Sequence, residues 1–507
     1  MEYVKNRWIK ENAIEYREYQ EKIARIATHA NTLVVLPTAL GKTIIALLVA
    51  TNLLDRDMNK KILFLAPTRP LVEQHKKTFE EFLKVGLNLV SVTGKIKPEK
   101  RKELYNFGDI IFSTPQCIKN DIAGSRLSLE NFSLLIVDEA QHCVGNYAYT
   151  YVTKKFIEHT KGKGRILALT ASPGSSIDKI SEIKSNLFVD RVEIKTERDK
   201  DVSEYVKPVR IHWIRVELTP EIREIREKLL SLKEGLIDEL RTSGMSFNSK
   251  MSKIDLINLQ KELSNFDSSV KFAYMKRISQ LIKIDHMLEL IETQTVNAFK
   301  EYLSKLEEEA VLKPRGAIAA LLKSSALNEI KQLLPRIAIH PKIEAIREIV
   351  RRELQQGGKI MIFAQLRSTV KEIERHLSEI EGCKPLVLLG QRGREGMKQQ
   401  KQIEVTRKFD SGECNVLITT SIGEEGLHLG SATTAIFYEP VPSEIRSIQR
   451  RGRVGREMPG KVYILMSKGT RDEGYYWASF HKERRMKSLL KRMKKEKSIT
   501  EFVGREN

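Results

Sequence analysis

The segment Thr32-Leu33-Val34-Val35-Leu36-Pro37-Thr38-Ala39-Leu40-Gly41-Lys42-Thr43-Ile44-Ile45 decides the fold. An apolar run is followed by a short turn and then by the apolar start of a helix, which is the beginning of a βαβ unit. The backbone N–H groups of such a loop, with the positive end of the helix, hold phosphate groups. We expect Lys42 to reach the β- and γ-phosphates of a nucleotide and the Thr43 hydroxyl to bind Mg²⁺.

The phosphate-loop pattern is incomplete, because the full pattern has glycine at the positions of Leu36 and Ala39. On this segment alone, a generic strand–turn–helix therefore stays open as the alternative. The candidate nucleotide-binding residues are Thr38, Ala39, Leu40, Gly41, Lys42 and Thr43.

Four further apolar runs follow in the first 171 residues, alternating with amphipathic stretches, which predicts a parallel sheet covered by helices. A small, polar or charged segment comes after each run. Because ligands of open α/β sheets bind outside the carboxyl ends of the strands, we expect these segments to converge on one site. The runs are Ile62–Leu65, Ile110–Phe112, Leu134–Val137 and Ile166–Leu169.

Two adjacent carboxylates, Asp138 and Glu139, end one of these runs. A carboxylate in this position usually holds Mg²⁺ in phosphoryl-transfer sites, and its neighbour can take the proton of an attacking water. Acidic residues at strand ends are also common helix caps, so the pair is ambiguous by itself. Together with the loop it predicts Lys42, Asp138 and Glu139 as catalytic residues, and Thr43 and Asp138 as metal ligands.

A second set of strand-like runs begins near residue 359 and predicts a second parallel α/β domain. These runs are Ile360–Phe363, Leu386–Leu389, Val416–Thr419, Thr434–Tyr438 and Val462–Met466. Between the two sets the apolar period becomes helical, with Thr219 and Pro220 as a helix start. The alternating segment 209–218 predicts a strand that could pair with either sheet. The expected fold is α/β, with two parallel-sheet domains and an all-helical insertion.

The segment 449–456 in the second set carries several arginines around two glycines. Guanidinium groups in such a loop suit the stabilisation of charge on a γ-phosphate from across a domain cleft. A solvated basic loop is the alternative reading of the segment by itself. With the first two motifs, it predicts Gln449, Arg453 and Arg456 as catalytic residues.

The composition of the chain indicates which classes of partner and which cellular compartment to expect. Lys and Arg outnumber Asp and Glu 87 to 66, giving a net charge of +21, so a polyanionic partner is plausible, although a generally basic protein would look the same. The four cysteines have no C-x-x-C spacing and indicate neither a disulfide framework nor a zinc site. Without an apolar leader or a run long enough to span a membrane, we expect an intracellular, cytoplasmic protein, associated with the nucleoid if archaeal.

In this order the motifs resemble those of superfamily-two helicases, which have two RecA-like domains and use ATP with Mg²⁺. The resemblance implies that Arg17 and Gln20 contact adenine. It implies nucleic-acid contacts for residues that follow three strands, namely Thr68, Arg69, Thr93, Gly94, Thr114 and Gln116. It implies that five further residues couple the nucleotide to nucleic acid, namely Thr170, Ser172, Gly423, Glu424 and Gly426.

The wording of several segments is similar to the archaeal Hef and eukaryotic FANCM branch, above all Leu36-Pro37-Thr38, Val144–Tyr149 and Tyr438–Ser443. The resemblance implies an ATP-dependent helicase or translocase for forked or branched DNA in replication-fork repair, with an insertion that grips DNA. We expect Lys271, Lys276, Arg277 and Lys283 on one insertion helix to face phosphates, unless they form a solvated basic face. The expected domains are 1–205, 206–340 (insertion), 341–480 and a basic tail, 481–507.

The chain departs from the family pattern at Ala39, Gln141, His428 and Val454. These departures keep open a structure-selective DNA-binding module with weak ATPase activity. A duplex-RNA-stimulated ATPase like the RIG-I group, which shares a helical insertion, is the other alternative. In the tail, Ile499 and Phe502 resemble part of a sliding-clamp docking motif, and a frayed terminus is the competing interpretation.

Overall fold

The computed structural model describes residues 2–245, 247–248, 251–265, 271–391, 396–423, 432–455 and 458–503, with side chains described as far as residue 494. Glu424, Gly426, His428 and Arg456, and the side chains of Ile499 and Phe502, lie outside this description.

The first domain contains a parallel sheet of seven strands in the order β3-β4-β2-β5-β6-β1-β7. Five of the strands are the apolar runs of the sequence. The two edge strands, β3 and β7, are short and were not predicted. The strands are β1 (Thr32–Val35), β2 (Lys61–Leu65), β3 (Leu89–Val92), β4 (Ile110–Ser113), β5 (Phe132–Val137), β6 (Arg165–Thr170) and β7 (Arg191–Ile194).

Seven helices cover the two faces of this sheet, so that each face packs into its own apolar core. This arrangement is the doubly wound architecture that buried parallel strands require. The helices are α1 (Glu18–His29), α2 (Lys42–Arg56), α3 (Arg69–Phe82), α4 (Pro98–Phe107), α5 (Pro115–Ala123), α6 (Ala148–Thr160) and α7 (Ile177–Asn186).

The second domain contains a parallel sheet of six strands in the order β10-β11-β9-β12-β13-β8. Its strands are β8 (Val209–Val216), β9 (Ile360–Phe363), β10 (Pro385–Leu388), β11 (Val416–Thr419), β12 (Thr434–Phe437) and β13 (Gly460–Ser467). Its helices are α14 (Pro341–Gln355), α15 (Arg367–Ser378), α16 (Gln399–Asp410), α17 (Glu444–Arg451) and α18 (Arg471–Val503). The predicted fold class is confirmed.

Strand β8 lies within the range 206–340 that the sequence assigns to the insertion, yet it forms the edge of the second sheet. It pairs with β13 along its whole length, from Val209 opposite Gly460 to Val216 opposite Ser467. The chain therefore joins the second sheet before it forms the helical insertion. A strand this far from its neighbours in sequence could not be assigned to a sheet from its alternating pattern alone.

In its described residues, the insertion is a bundle of six helices around one apolar core. Thr219 begins it as predicted, because its hydroxyl accepts a hydrogen bond from the Ile222 N–H, 3.4 Å away, and Pro220 occupies the first turn. The helices are α8 (Pro220–Thr242), α9 (Lys253–Ser264), α10 (Lys271–Thr293), α11 (Val296–Leu312), α12 (Ala317–Leu322) and α13 (Ser325–Leu333).

Two cations of the second domain, Lys342 and Arg471, connect it to the bundle. The Lys342 ammonium at the start of α14 lies 2.5 Å from the Asp472 carboxylate and donates to the Thr293 carbonyl at the end of α10. Arg471 makes two hydrogen bonds to Asp285 of α10, of 2.8 and 2.9 Å. Because removing one partner of a buried pair leaves a charge without compensation, these contacts hold the two units in a defined orientation.

The basic tail is the second half of α18, a continuous helix that begins at Arg471. Met486 and Leu490 are buried in the core of the first domain, with Met493 packed beside them. Their spacing places the three side chains on one helix face. Residues 481–494 are therefore not a separate tail, since they connect the second domain to the first. Within the described residues, no helix has the length and apolar character needed to cross a membrane.

His340, between the bundle and α14, makes stability sensitive to pH. It is fully buried, and its Nδ1 accepts from the Lys342 N–H at 3.2 Å. Burial and the Lys342 charge lower the pKa of His340 to about 3. A depressed histidine pKa means that the unfolded chain takes up more protons, so stability is lost as pH falls below about 6.5.

We predict that His340→Asn, which keeps a capping acceptor but does not titrate, loses less stability than the parent between pH 7.5 and pH 5. The difference should be roughly 2 kcal/mol at pH 5 in urea unfolding experiments. His29→Asn, at an exposed histidine of the first domain, should behave like the parent. Equal losses in the parent and in His340→Asn would show that His340 does not cause the pH dependence.

Candidate functional site

The loop between β1 and α2 has the geometry of a phosphate-binding loop. Gly41 is the N-cap of α2 with φ 76°, and Ala39 has φ 66°, so two residues of the turn are left-handed. Glycine adopts this conformation freely, whereas a Cβ makes it costly, so Ala39 carries the strain that its position predicts. The Lys42 ammonium lies inside the turn and donates to the carbonyls of Leu36 and Pro37, at 3.2 and 3.4 Å.

Helix α1 supports this loop through hydrogen bonds. The Gln20 amide and the Tyr19 hydroxyl both donate to the Leu40 carbonyl, at 3.2 and 2.8 Å. The Arg17 guanidinium lies over the ring of Tyr205, 4.3 Å from its centroid, and Tyr205 belongs to the linker that joins the two domains. The predicted adenine contacts, Arg17 and Gln20, are thus brought to the loop, and Tyr205 is an addition that the sequence did not indicate.

Asp138 and Thr43 are brought together around His75. The Asp138 carboxylate accepts from His75 Nε2 at 2.8 Å, and Nδ1 of the same ring lies 3.3 Å from the Thr43 hydroxyl oxygen. Burial alone would raise the pKa of Asp138, but the His75 ring and the Lys42 charge outweigh it and hold that pKa below its usual range. The carboxylate is therefore ionised at neutral pH. A carboxylate and a hydroxyl are hard oxygen donors of the kind that Mg²⁺ binds.

A chain of hydrogen bonds runs from Glu139 towards the second domain. The Gln141 amide nitrogen donates to the Glu139 carboxylate at 2.6 Å, and the Gln141 carbonyl oxygen accepts from the Thr170 hydroxyl at 2.7 Å. The Thr170 hydroxyl also accepts from the Ser172 N–H at 3.0 Å. The Ser172 hydroxyl then donates to the Met486 sulfur of α18 at 3.0 Å. An amide has both a donor and an acceptor, which is why glutamine can bridge the acidic pair and Thr170.

The arginine-rich segment of the second domain lies against the phosphate loop of the first. A Cβ placed on Gly452 would overlap the Thr38 hydroxyl, so the two segments touch at a position where only glycine fits. Gln449 and Arg453 are both buried beside this contact. Val454, where threonine is common in the family, packs into the apolar core of the second domain. Arg456 lies outside the described residues.

Between the domains is a cavity of about 970 Å³. Thr38, Ala39 and Leu40 line it from the first domain, and Gly452 and Gly455 line it from the second. Helix α18 forms another wall, where Glu483 pairs with Arg451 of the arginine segment. The role of α18 was missed in the sequence, because its basic, amphipathic pattern predicts a helix but not the surface on which the helix packs.

The predicted nucleic-acid contacts of the first domain lie at the carboxyl ends of neighbouring strands. Thr68 and Thr114 are the N-caps of α3 and α5, and neither hydroxyl is used in capping. Gly94 lies beside the Arg69 guanidinium, since a Cβ there would be 3.5 Å from it. Helix N-termini with free N–H groups bind phosphate oxygens, so this edge of the sheet can hold a nucleic-acid backbone. The remaining members of the set are Thr93 and Gln116.

Three of the four predicted cations of α10 are already engaged within the bundle. Arg277 pairs with Glu239 at 2.6 Å, and Lys283 lies 3.6 Å from Glu309. Lys271 donates to the Ser264 carbonyl at 2.8 Å. Binding of phosphate by this set, which also includes Lys276, would have to replace these internal contacts.

Gly423 is the described member of the coupling set in the second domain. It is buried after β11, and a Cβ there would overlap the Thr419 side chain, so the position requires glycine. Glu424 and Gly426 lie outside the described residues.

Comparison with known proteins agrees with this geometry. Residues 17–180 match the family "DEAD/DEAH box helicase" and residues 341–458 match "Helicase conserved C-terminal domain". Residues 219–333 match "Putative ATP-dependent RNA helicase, helical bundle". The crystal structure of the Pyrococcus furiosus Hef helicase domain superposes with a TM-score of 0.71 at 37% identity, covering 93% of this chain and 100% of that one.

Two curated relatives are similar over most of the chain. A Methanocaldococcus jannaschii protein named "Putative ATP-dependent RNA helicase" is 41% identical over 97% of this chain and 63% of its own length. An ATP-dependent DNA helicase of Schizosaccharomyces pombe is 32% identical over 91% of this chain and 58% of its own length. The chain thus spans about three fifths of these relatives.

Two helicase domains facing one nucleotide cleft define a superfamily-two helicase fold. Within that superfamily, the chain belongs to the Hef/FANCM branch, as its similarity to the whole Hef helicase domain shows.

The bridge formed by Gln141 generates a prediction. Gln141→Ala removes both hydrogen bonds and should lower nucleic-acid-stimulated ATP turnover by about tenfold or more, since a hydrogen bond to a charged group contributes about 1.5–3 kcal/mol. The KM for ATP should change little, because the phosphate loop is untouched. Gln141→His, which keeps a donor and an acceptor, should retain more activity than Gln141→Ala. Parental turnover in Gln141→Ala would show that the bridge does not serve catalysis.

Proposed function

We propose that this protein is an ATP-dependent DNA helicase or translocase that acts on forked or branched DNA in replication-fork repair. The observation that carries the proposal is the contact of Gly452 with Thr38, which brings the arginine-rich segment of one domain against the phosphate loop of the other. Domain closure around ATP is the step by which such a pair of domains converts hydrolysis into movement along a nucleic acid.

In this proposal each residue has one task in hydrolysis. Lys42 and the loop N–H groups bind the phosphates, while Thr43 and Asp138 would hold Mg²⁺, which neutralises charge on the phosphate oxygens. Glu139 accepts the proton of the attacking water. Arg453, with Gln449 and Arg456, stabilises charge on the γ-phosphate. The hydrogen bonds through Gln141, Thr170 and Ser172 connect this chemistry to α18 and so to the second domain.

The proposal that DNA is the substrate rests on the positive charge of the chain and on its similarity to known proteins. The net charge of +21 favours a polyanion, and the helix N-termini at Thr68 and Thr114 offer N–H groups to a phosphate backbone. The Schizosaccharomyces pombe relative is named as a DNA helicase, and the superposed structure is of a Hef helicase domain. The cations of α10 would add contacts specific to branched DNA once their internal ion pairs exchange.

A duplex-RNA-stimulated ATPase is the second candidate, because the helical bundle matches a family named for an RNA helicase and the Methanocaldococcus jannaschii relative carries a similar name. Comparison of stimulation by forked DNA and by duplex RNA separates the two. The third candidate, a DNA-binding module with weak ATPase activity, draws on the strained Ala39. Gln141 does not support this third candidate, because the Gln141 amide makes hydrogen bonds with both Glu139 and Thr170.

Docking on a sliding clamp through Ile499 and Phe502 remains a separate proposal that rests on the sequence pattern alone. The two side chains lie outside the described residues.

Steady-state ATP turnover with saturating forked DNA tests the proposed function. We predict strong stimulation by forked DNA, weaker stimulation by duplex RNA, and no turnover in Lys42→Ala. DNA affinity of Lys42→Ala should stay within a few-fold of the parent, because the phosphate loop and the nucleic-acid contacts use different residues. Stronger stimulation by RNA would favour the second candidate, and turnover that no nucleic acid stimulates would favour the third.

Arg453 gives a second prediction. Arg453→Ala should lower the kcat for ATP by on the order of 10²-fold or more, with little change in KM, because its charge is needed where negative charge develops on the γ-phosphate. Arg453→Lys keeps the charge but not the planar fork, and should be intermediate. Arg485→Ala, at an exposed arginine of α18, is the matched control. An unchanged kcat in Arg453→Ala would assign this arginine to a structural role.

A further inference from the structure

Five rings form an exposed aromatic patch on the second domain, beside the nucleotide cleft, with which the adjoining groove shares Arg451, Glu483 and Arg484. Trp213 of edge strand β8 contributes to this patch, and the other four residues belong to the first part of α18. Side chains of Trp213, Trp477 and Phe480 are 53%, 48% and 41% exposed, although large aromatic residues usually bury most of their surface. The aromatic patch consists of Trp213, Tyr476, Trp477, Phe480 and His481.

Neighbouring rings of the patch contact one another in space, but they do not form a buried core. Tyr476 connects Trp213, with centroids 6.2 Å apart, to Trp477, with centroids 5.2 Å apart. Trp477 and Phe480 meet edge to face, at 5.7 Å and 90°. A groove of about 400 Å³ between β8, α17 and α18 is lined in part by Trp213, Tyr476 and Phe480. Three of the rings are therefore accessible to an occupant of the groove, and Trp477 is exposed beside it.

Positive charge surrounds these rings. Arg484 is exposed one turn beyond Phe480 and lines the same groove. Arg215 is exposed on β8 and lies on the same face as Trp213, because side chains two apart on a strand point the same way. Over residues 481–494, seven Lys and Arg residues accompany one acidic residue, Glu483. That glutamate is neutralised by Arg451 and Lys487.

We infer that the aromatic patch is a binding site for single-stranded nucleic acid. The bases of the strand stack on Trp213, Trp477 and Phe480, and the phosphates of the strand contact Arg215 and Arg484. Aromatic platforms beside cations are the arrangement by which single strands are held without sequence preference, since every base has a π-face. Duplex DNA lacks exposed base faces and gains nothing from the rings. The inference deepens the proposed function, on which it rests, because a fork supplies the single strand.

A peptide is the competing occupant, since β8 is a sheet edge with backbone groups available for an added strand. The charge favours nucleic acid over an ordinary peptide, because Arg484 lines the groove together with the rings and Arg215 lies on the face of β8 that carries Trp213. An acidic peptide is therefore the alternative to be tested.

Intrinsic tryptophan fluorescence provides the test in the full chain. Trp8→Phe leaves Trp213 and Trp477 as the two reporters, because the chain has three tryptophans. Titration with an oligothymidylate should quench this fluorescence in a saturable manner. The double substitution Trp477→Ala and Phe480→Ala should weaken oligothymidylate binding at least about tenfold when measured by anisotropy of a labelled strand. Phe107→Ala, at an exposed phenylalanine of the first domain, should bind like the parent.

Salt dependence gives an independent measurement. Arg484→Ala should flatten the log–log dependence of single-strand affinity on salt by about 0.7, the value for one phosphate contact. This readout depends on charge and not on the fold of the patch. Unfolding midpoints within a few degrees of the parent will show that each variant is folded.

Parental single-strand affinity in the double variant, with no quenching in the Trp8→Phe chain, would overturn the inference. Quenching by a Glu-rich peptide but not by oligothymidylate would also overturn it and would assign the groove to a protein. The proposed function is judged separately, by stimulation of ATP turnover with forked DNA in the unsubstituted chain. If forked DNA stimulates turnover and the double variant still binds single strands normally, only the patch assignment fails.

Discussion

The close approach of Gly452 to Thr38 is the constraint on which the rest of the structure depends. A side chain at position 452 would hold the two domains apart, and the arginine segment would then be unable to reach the phosphate loop. The contact is meaningful only because each partner is fixed within its own domain. Thr38 lies in a strained turn between a buried strand and a helix, and Gly452 directly follows α17. The two α/β domains thus meet where the backbone of Gly452 packs against the short side chain of Thr38, which leaves no room for a larger residue at position 452.

The helical bundle moves as part of the second domain in this arrangement. The hydrogen bond from Lys342 to the Thr293 carbonyl and the Arg471–Asp285 pair join it to α14 and α18, and the Thr369 hydroxyl of α15 donates to Gln294 just after α10. In the proposed function, any nucleic acid held by the bundle would therefore be displaced together with Arg453 when the cleft closes. Coupling between hydrolysis and movement then needs no separate transmission to the bundle, because the connection is already stiff.

Much of the fold follows from the sequence, for identifiable reasons. The central strands are almost entirely buried and form continuous apolar runs, so they could be predicted, whereas β3 and β7 are short and only half-buried and have no such run. The phosphate loop, the acidic pair and the arginine segment are local in sequence and were also predicted. The bridging role of Gln141 and the docking of α18 were not, because Ser172 and Met486 are 314 residues apart and their contact exists only after both domains have folded. Tyr205 was missed for the same reason, since its partner Arg17 lies at the other end of the first domain.

Helix α18 leaves the second domain and packs Met486 and Leu490 into the core of the first, while the linker that carries Tyr205 joins the same two domains at another place. Two bodies attached to each other at two separate points lose most of their six relative degrees of freedom. If both attachments persist, the remaining motion is rotation about the line that connects them. The cleft between the domains would then open and close by a single hinge rotation. Each cycle would follow the same path, and the bundle would move along one arc.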